Sequence, residues 1–383
     1  MIRLKSINYV EFEGEPQEWR LEKFSLGSSN LIVGKNASGK TRTLNLIGSL
    51  ALNLAGIVPP GLSSTYDAEY LENEHKLNYH VKYDEQRVVE ERFLVDDIIR
   101  LDRSNKGEGE IFASAINNGV MIRFQTPTSE LAAVARRDTI QHGFLESLHV
   151  WASSVRYYSF GTALGKDNLA LLSETTGIEA NDRNPNTVIG LFMQAKEDFG
   201  EKFIQPLIND MRQLNYDIHS IGTMPPISIR FPPGARPIVG LYVQENDLEG
   251  KTDQTSMSQG MFRALSILIL VNYSQITGKS SCILIDDIGE GLDFDRSCRL
   301  VNLLRDKANT SNVQLIMSTN DRFIMNQVPI EEWAVIQRKG SHVRVLNYEN
   351  SKDLFEEFKF TGLSNFSFLE MDFANSHLDL ETA

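Results

Sequence analysis

The stretch LIVGKNASGKT, residues 31–41, matches the pattern G-x-x-x-x-G-K-[ST] from Gly34 to Thr41. It closes an apolar run and leads into TRTLNLIGSLALNLAG, which reads as a helix with Gly56 as its C-cap. Gly34 and Gly39 let the backbone curl so that its N–H groups face phosphate oxygens, and the helix N-terminus adds partial positive charge. Lys40 is expected to reach the β- and γ-phosphates, and the Thr41 hydroxyl to serve Mg²⁺. The expected nucleotide-binding run is Gly34, Lys35, Asn36, Ala37, Ser38, Gly39, Lys40, Thr41 and Arg42. A chance glycine-rich turn before a helix is the rival reading; strand and helix both standing in place argue against it.

Around this loop lies a chain of 383 residues, enough for roughly two to three domains. Apolar residues make up 41% and charged residues 23%, the ordinary balance of a globular protein with a sizeable core. The formal net charge of −13 argues against non-specific coating of nucleic acid or acidic membranes, though not against one local basic groove. Two cysteines, Cys282 and Cys298, form neither a disulfide framework nor a metal site and fit a reducing compartment. The start MIRLKSINYVEFEGE carries no apolar signal core, and the longest apolar run, near ALSILILV, falls far short of the roughly 20 residues a membrane helix needs. The expectation is a soluble protein of the cytoplasm with no membrane partner.

Periodicity lays out the rest. IRLKSINYVEFEG alternates as a strand, and Tyr66 to Gln125 carries short alternating runs that predict a meander. DTIQHGFLESLHVWA reads as a helix and SVRYYSF as a strand. From Lys166 to Ile221 the pattern turns helical, with Phe192, Phe199, Phe203, Leu207, Met211 and Leu214 at helical steps, interrupted by Gly200 and Pro206. Pro225, Pro226, Pro232, Pro233 and Pro237 mark a junction, and the acidic tail HLDLETA is expected to fray. The seven histidines are scattered without metal spacing. Arg136 with Arg137, and Arg100 with Arg103 and Lys106, are basic spots that read as solvated faces or as nucleic-acid contacts.

Two further motifs lie downstream. CILIDDIGEGLD, residues 282–293, is a buried-strand pattern that ends in acids. Asp286 is expected to hold Mg²⁺, and Asp287 to face an attacking water. TSMSQGMFRALSILIL, residues 255–270, opens an apolar helix on Ser258, Gln259 and Gly260, a second anion-binding turn.

The order of phosphate loop, Ser-x-Gly turn and acidic strand resembles the ABC-type ATPase heads. MSQGM stands at their signature, DDIGEGLD resembles the stretch from the second acidic motif to the D-loop, and Asn320 in VQLIMSTND stands where the switch histidine is usual. The chain is most similar to the heads without membrane domains: the RecF, structural-maintenance-of-chromosomes (SMC) and overcoming-lysogenization-defect (OLD) types, including ATPase subunits of antiphage systems such as Septu. The resemblance implies an α/β P-loop NTPase fold, an ABC-ATPase head with a mixed sheet, an antiparallel β lobe and a helical insertion. The implied layout is 1–165 for the N-terminal lobe, 166–222 for the insertion and 223–383 for the C-terminal lobe. It also implies a homodimer sandwiching ATP and Mg²⁺, with Ser258 and the Gly260 N–H of one chain on the γ-phosphate held by Lys40 of the other.

Three departures bear on chemistry. Asp287 replaces glutamate, Asn320 replaces histidine, and no glutamine follows SVRYYSF. A general base must come within about 2.6–3.2 Å of its water or act through another water. Asp287 is one methylene short, and Glu290 is the alternative base if the turn folds it back. These changes leave binding intact and slow the hydrolysis. The expectation is a slow ATPase switch that controls a separate effector, a nuclease or toxin, in antiviral defence. The alternatives are a RecF-like DNA-binding ATPase of repair and a nucleotide-locked scaffold without turnover. Nothing after the ATPase pattern reads as a nuclease domain, unlike the OLD nucleases.

Overall fold

The computed structural model describes residues 2–104, 106–116, 119–171, 183–230 and 238–375. Pro232, Pro233, Pro237, residues 172–182 of the expected insertion and the acidic tail lie outside the described residues. The chain divides into two compact units, residues 1–155 with 329–383, and residues 156–328.

The first unit begins with β1 (Ile2–Glu11), β2 (Trp19–Ser25), β3 (Ser29–Val33) and α1 (Lys40–Leu54). Six strands follow in hairpin succession: β4 (Ser63–Glu72), β5 (His75–Asp84), β6 (Arg87–Val95), β7 (Ile98–Arg103), β8 (Glu108–Ala113) and β9 (Val120–Gln125). Then come α2 (Ala132–Ala135) and α3 (Glu146–Ser154). The second unit holds β10 (Val155–Ser159), β11 (Ala170–Leu171), α4 (Val188–Phe199), α5 (Glu201–Gln213), β12 (Ile218–Met224), β13 (Ile238–Glu245), β14 (Thr252–Asp253) and α6 (Gln259–Thr277). It continues through β15 (Ser281–Asp286), α7 (Phe294–Thr310), β16 (Val313–Ser318) and α8 (Arg322–Gln327). The chain re-enters the first unit with β17 (Trp333–Lys339), β18 (His342–Asn347), α9 (Lys352–Phe360) and α10 (Ser367–Glu370).

The sheet of the first unit is mixed. β3 pairs with β17 and β18 with β2 in parallel, whereas β17–β18, β2–β1 and β1–β4 are antiparallel. From β4 the sheet runs antiparallel to β9 in chain order, the predicted meander. One face of it buries Tyr70, Tyr79, Phe93, Leu101 and Ile111. Two of its hairpins turn on residue pairs that both have positive φ, Glu85–Gln86 and Asp96–Asp97, the twist that suits two-residue loops. Inside the meander, Glu91 and Arg103 form a fully buried ion pair at 3.1 Å. Glu91 also accepts the N–H groups of Ala132 and Ala133. Arg103 donates to the carbonyls of Thr126, Pro127 and Glu130. Arg103 therefore belongs to the core and not to a surface basic spot, because its fork satisfies a buried segment of backbone. Arg100 and Arg136 lie over the rings of Phe112 and Phe124.

In the second unit β15 lies parallel to β16, and every residue of both strands is buried. Helix α6 is buried through most of its length and packs against α4 and α5. Asp210 on α5 accepts from Asn272 on α6 at 2.6 Å and pairs with Lys307 on α7 at 2.9 Å. A small antiparallel sheet, β11–β13–β12 with β14 beside β13, completes the unit.

Two local expectations are corrected. Residues 138–145 are not regular α-helix: the Asp138 carboxylate accepts the N–H groups of Ile140 and Gln141, and the His142 ring bonds the Phe112 carbonyl. These side-chain bonds offer the backbone an alternative to the helix, which starts only at Glu146. Pro206 does not end its helix, since α5 runs through it; the break falls at Gly200, with φ 55° and ψ −130°. Among the described residues no helix is long and apolar enough to cross a membrane.

Candidate functional site

In the first unit, the loop after β3 is shaped by backbone demands. A Cβ on Gly34 would sit 2.6 Å from the Ile336 carbonyl oxygen and 2.9 Å from the Ser38 hydroxyl, so only glycine fits. Ala37 and Gly39 both adopt left-handed φ, at 62° and 109°. Gly39 closes on the ring of Trp19. Lys40 is buried, and its ammonium donates to the carbonyls of Gly34 at 2.9 Å and Lys35 at 3.3 Å. The cation is thus held inside the loop mouth. Helix α1 has no side-chain N-cap. The Ser38 hydroxyl is buried and lacks a hydrogen-bond partner among the described residues. A buried cation, an orphaned hydroxyl and an uncapped helix start are the donor set that an anionic phosphate group fits.

Lys35, Asn36, Ala37, Thr41 and Arg42 are exposed. The Arg42 guanidinium lies 4.5 Å from the centre of the Trp19 ring and pairs with Glu11. Lys35 pairs with Asp372 at 3.1 Å. Beside the loop lies a cavity of about 540 Å³, lined by residues 34–38, β17 and the segment that carries Phe368 and Asp372.

In the second unit, Asp286 ends β15 and is buried. The Ser318 hydroxyl donates to its carboxylate at 2.6 Å, and the Asp287 N–H donates to that same hydroxyl oxygen at 2.9 Å. Asp287 takes φ 52°, a left-handed conformation that aspartate tolerates better than most residues. Its carboxylate accepts from the Asn320 side chain at 3.2 Å. The sequence reading missed Tyr157 on β10, whose hydroxyl bonds Asp286. Burial first, and then the charges of Asp286 and Asp287, hold its pKa well above the ordinary value. Asp286, Asp287 and Asn320 are thus brought together. Glu290 is exposed, three residues on, with its N–H bonded to the Asp287 carbonyl at 3.1 Å.

The Ser258 turn is an N-cap: its hydroxyl accepts the Met261 N–H at 3.1 Å and starts α6. A Cβ on Gly260 would run into the Gly291 carbonyl, so glycine is required there. Gln259 turns its amide onto the carbonyls of Thr162 and Ala163. Arg263, one turn further, donates to the Thr162 carbonyl at 2.9 Å and the Glu290 carbonyl at 2.6 Å. Burial lowers its pKa, and Glu290 opposes that shift. No sequence signal marked Arg263; the only hint was glutamine in place of glycine at 259.

Residues 29–326 match the family described as AAA domain, putative AbiEii toxin, Type IV TA system. No curated protein matches the chain. Among solved structures, the fold is similar to an Smc head bound to the C-winged helix domain of ScpA, at 12% identity and TM-score 0.53, covering 91% of this chain and 99% of that one. It is also similar to an Smc head domain with an extended coiled coil bound to the C-terminal domain of ScpA derived from Pyrococcus furiosus, at 12% identity and TM-score 0.52, covering 94% and 100%. At this identity the likeness speaks for the fold alone. With more than half of its length matched, the chain belongs to the family described as AAA domain, putative AbiEii toxin, Type IV TA system, and it has a P-loop NTPase fold like that of the Smc heads.

Proposed function

We propose that the chain binds ATP with Mg²⁺ on the phosphate loop, hydrolyses it slowly, and acts in the cytoplasm as a nucleotide-controlled switch on a separate effector. The observation that carries this reading is the loop itself: Lys40 buried against the Gly34 and Lys35 carbonyls beside the unpartnered Ser38 hydroxyl. Lys40 exchanges those carbonyls for phosphate oxygens, and Ser38 donates to the same group. Bound Mg²⁺ supplies charge neutralisation at the transferring phosphoryl group. Thr41 and Asp286 are the groups that would hold it, with Ser318 orienting the Asp286 carboxylate. Asp287 is favoured over Glu290 as the group facing water, since its carboxylate is steadied by the Asn320 amide right after Asp286, whereas Glu290 is exposed and is tied to this turn only through its backbone N–H. Slow turnover follows from a short carboxylate and from an Asn320 amide that donates hydrogen bonds but cannot take up and release a proton near neutral pH.

The switch is a homodimer. Ser258 and the Gly260 N–H of one copy meet the γ-phosphate held by Lys40 of the other, so loss of that phosphate removes the bridge. In this reading residues 1–165 and 223–383 are the two ATPase lobes and 166–222 an insertion. The family description, which names a TA system, supports action through a partner and a place in antiphage defence. The ScpA domain bound to a structurally similar head supports action through a partner. Isothermal titration with ATP, and light scattering with a non-hydrolysable analogue, test the proposal. Micromolar binding and a doubling of mass are expected; an absence of ATP binding would overturn it.

A further inference from the structure

The loop Thr162–Asn168, after β10, accepts hydrogen bonds on at least four of its carbonyls from three side chains of one short segment, residues 254–263. Gln254 is 1% exposed, and its amide nitrogen donates to the carbonyls of Lys166 and Asn168, both at 2.8 Å, while its oxygen accepts the Leu241 N–H. Gln259 donates to Thr162 and Ala163. Arg263, 7% exposed, puts two nitrogens on the Thr162 carbonyl and the third on the Glu290 carbonyl. Gly291 packs so tightly on the guanidinium that a Cβ would collide with it. A planar fork can bridge two carbonyls from different loops in a way that an ammonium cannot.

We infer that Gln254, Gln259 and Arg263 form a clamp that makes three parts move as one body: the loop Thr162–Asn168, the first turn of α6 that carries Ser258, and the Glu290–Gly291 turn. Arg263 is its central positioning residue. The loop is tied at its start to the acidic strand, since the Phe160 N–H donates to the Asp286 carbonyl at 2.9 Å. The clamp therefore sets where Ser258 stands relative to Asp286 and Asp287. Its consequence for turnover rests on the ATPase reading above; its consequence for local rigidity does not.

Two variants test it. In nucleotide-free Arg263→Gln, hydrogen exchange should quicken together at Thr162 and Lys166 and at Glu290 and Leu292, by on the order of 10-fold or more, because buried carbonyls on both sides lose their donors. Arg263→Lys should restore one side only. Gln259→Ala, which removes the outer arm, should loosen 162–163 and leave 288–292 unchanged. In the same Arg263→Gln protein, kcat should fall by on the order of 10-fold while ATP affinity stays within about threefold of wild type. Exchange that quickens on one side alone, or turnover within twofold of wild type, would overturn the clamp. No ATP binding by the wild-type protein, together with the paired exchange response in Arg263→Gln, would sink the ATPase reading and keep the clamp.

Discussion

The phosphate loop and the Ser258 turn are both glycine-bearing turns at the start of a long helix, yet different forces hold them. In the first, the loop's own backbone does most of the holding. Gly34 closes against the Ser38 hydroxyl within the loop, and Lys40 closes it on carbonyls five and six residues away. In the second, side chains reach far along the chain, with Arg263 and Thr162 separated by 101 positions. A self-closing loop can work wherever a strand and a helix flank it. A turn held by distant carbonyls is only as stable as the packing that brings those carbonyls near.

The largest effect tests the self-closing side. Lys40→Ala should abolish ATP binding in isothermal titration, since loss of one partner of a desolvated charged contact costs roughly 2–5 kcal/mol. Wild-type-like affinity in that variant would mean the loop does not bind phosphate. Next, Asp287→Ala should lower turnover by on the order of 10²-fold with ATP affinity unchanged, while Glu290→Ala costs little. If steady-state kinetics show the reverse ranking, the exposed Glu290 is the base and the Asn320 contact is a bystander.

A third effect lies in the lead-in to the Ser258 turn. Burial pushes the Asp253 carboxyl up, but bonds from Thr255, Ser256 and the Ile227 N–H outweigh it and bring its pKa to about 2. A folded-state pKa below the ordinary 3.8 means stability that is complete above about pH 4 and lost as pH falls through about 2. Asp253→Asn should therefore cost about 2 kcal/mol at neutral pH, and the gap should close in acid. Urea unfolding at pH 7 and pH 3 would show it; a gap that does not change with pH would remove the carboxylate from the account. The smallest effect sharpens the comparison directly. Gln259→Gly, which restores the glycine usual in related heads, should cost about 1 kcal/mol of local helix stability. It should change kcat less than tenfold, about 1.4 kcal/mol, because its bonds are exposed and Arg263 still holds Thr162.

Much was legible from residue types alone. The pattern Gly34 to Thr41, the alternation of β4 to β9, and the apolar strand ending in Asp286 each place their meaning in near neighbours. Period, glycine spacing and flanking elements are short-range properties, and a sequence writes them down directly. The tertiary structure alone decided that Arg103 is a core residue paired with Glu91, that Tyr157 stands against Asp286, and that Asp287 rather than Glu290 meets Asn320. It also decided that Gln254, Gln259 and Arg263 hold one loop. Each of these is a hydrogen bond or ion pair between groups far apart in the chain. An arginine or glutamine carries no mark of whether its donors will end in water or on a buried carbonyl; burial settles that, and burial is a property of the folded chain.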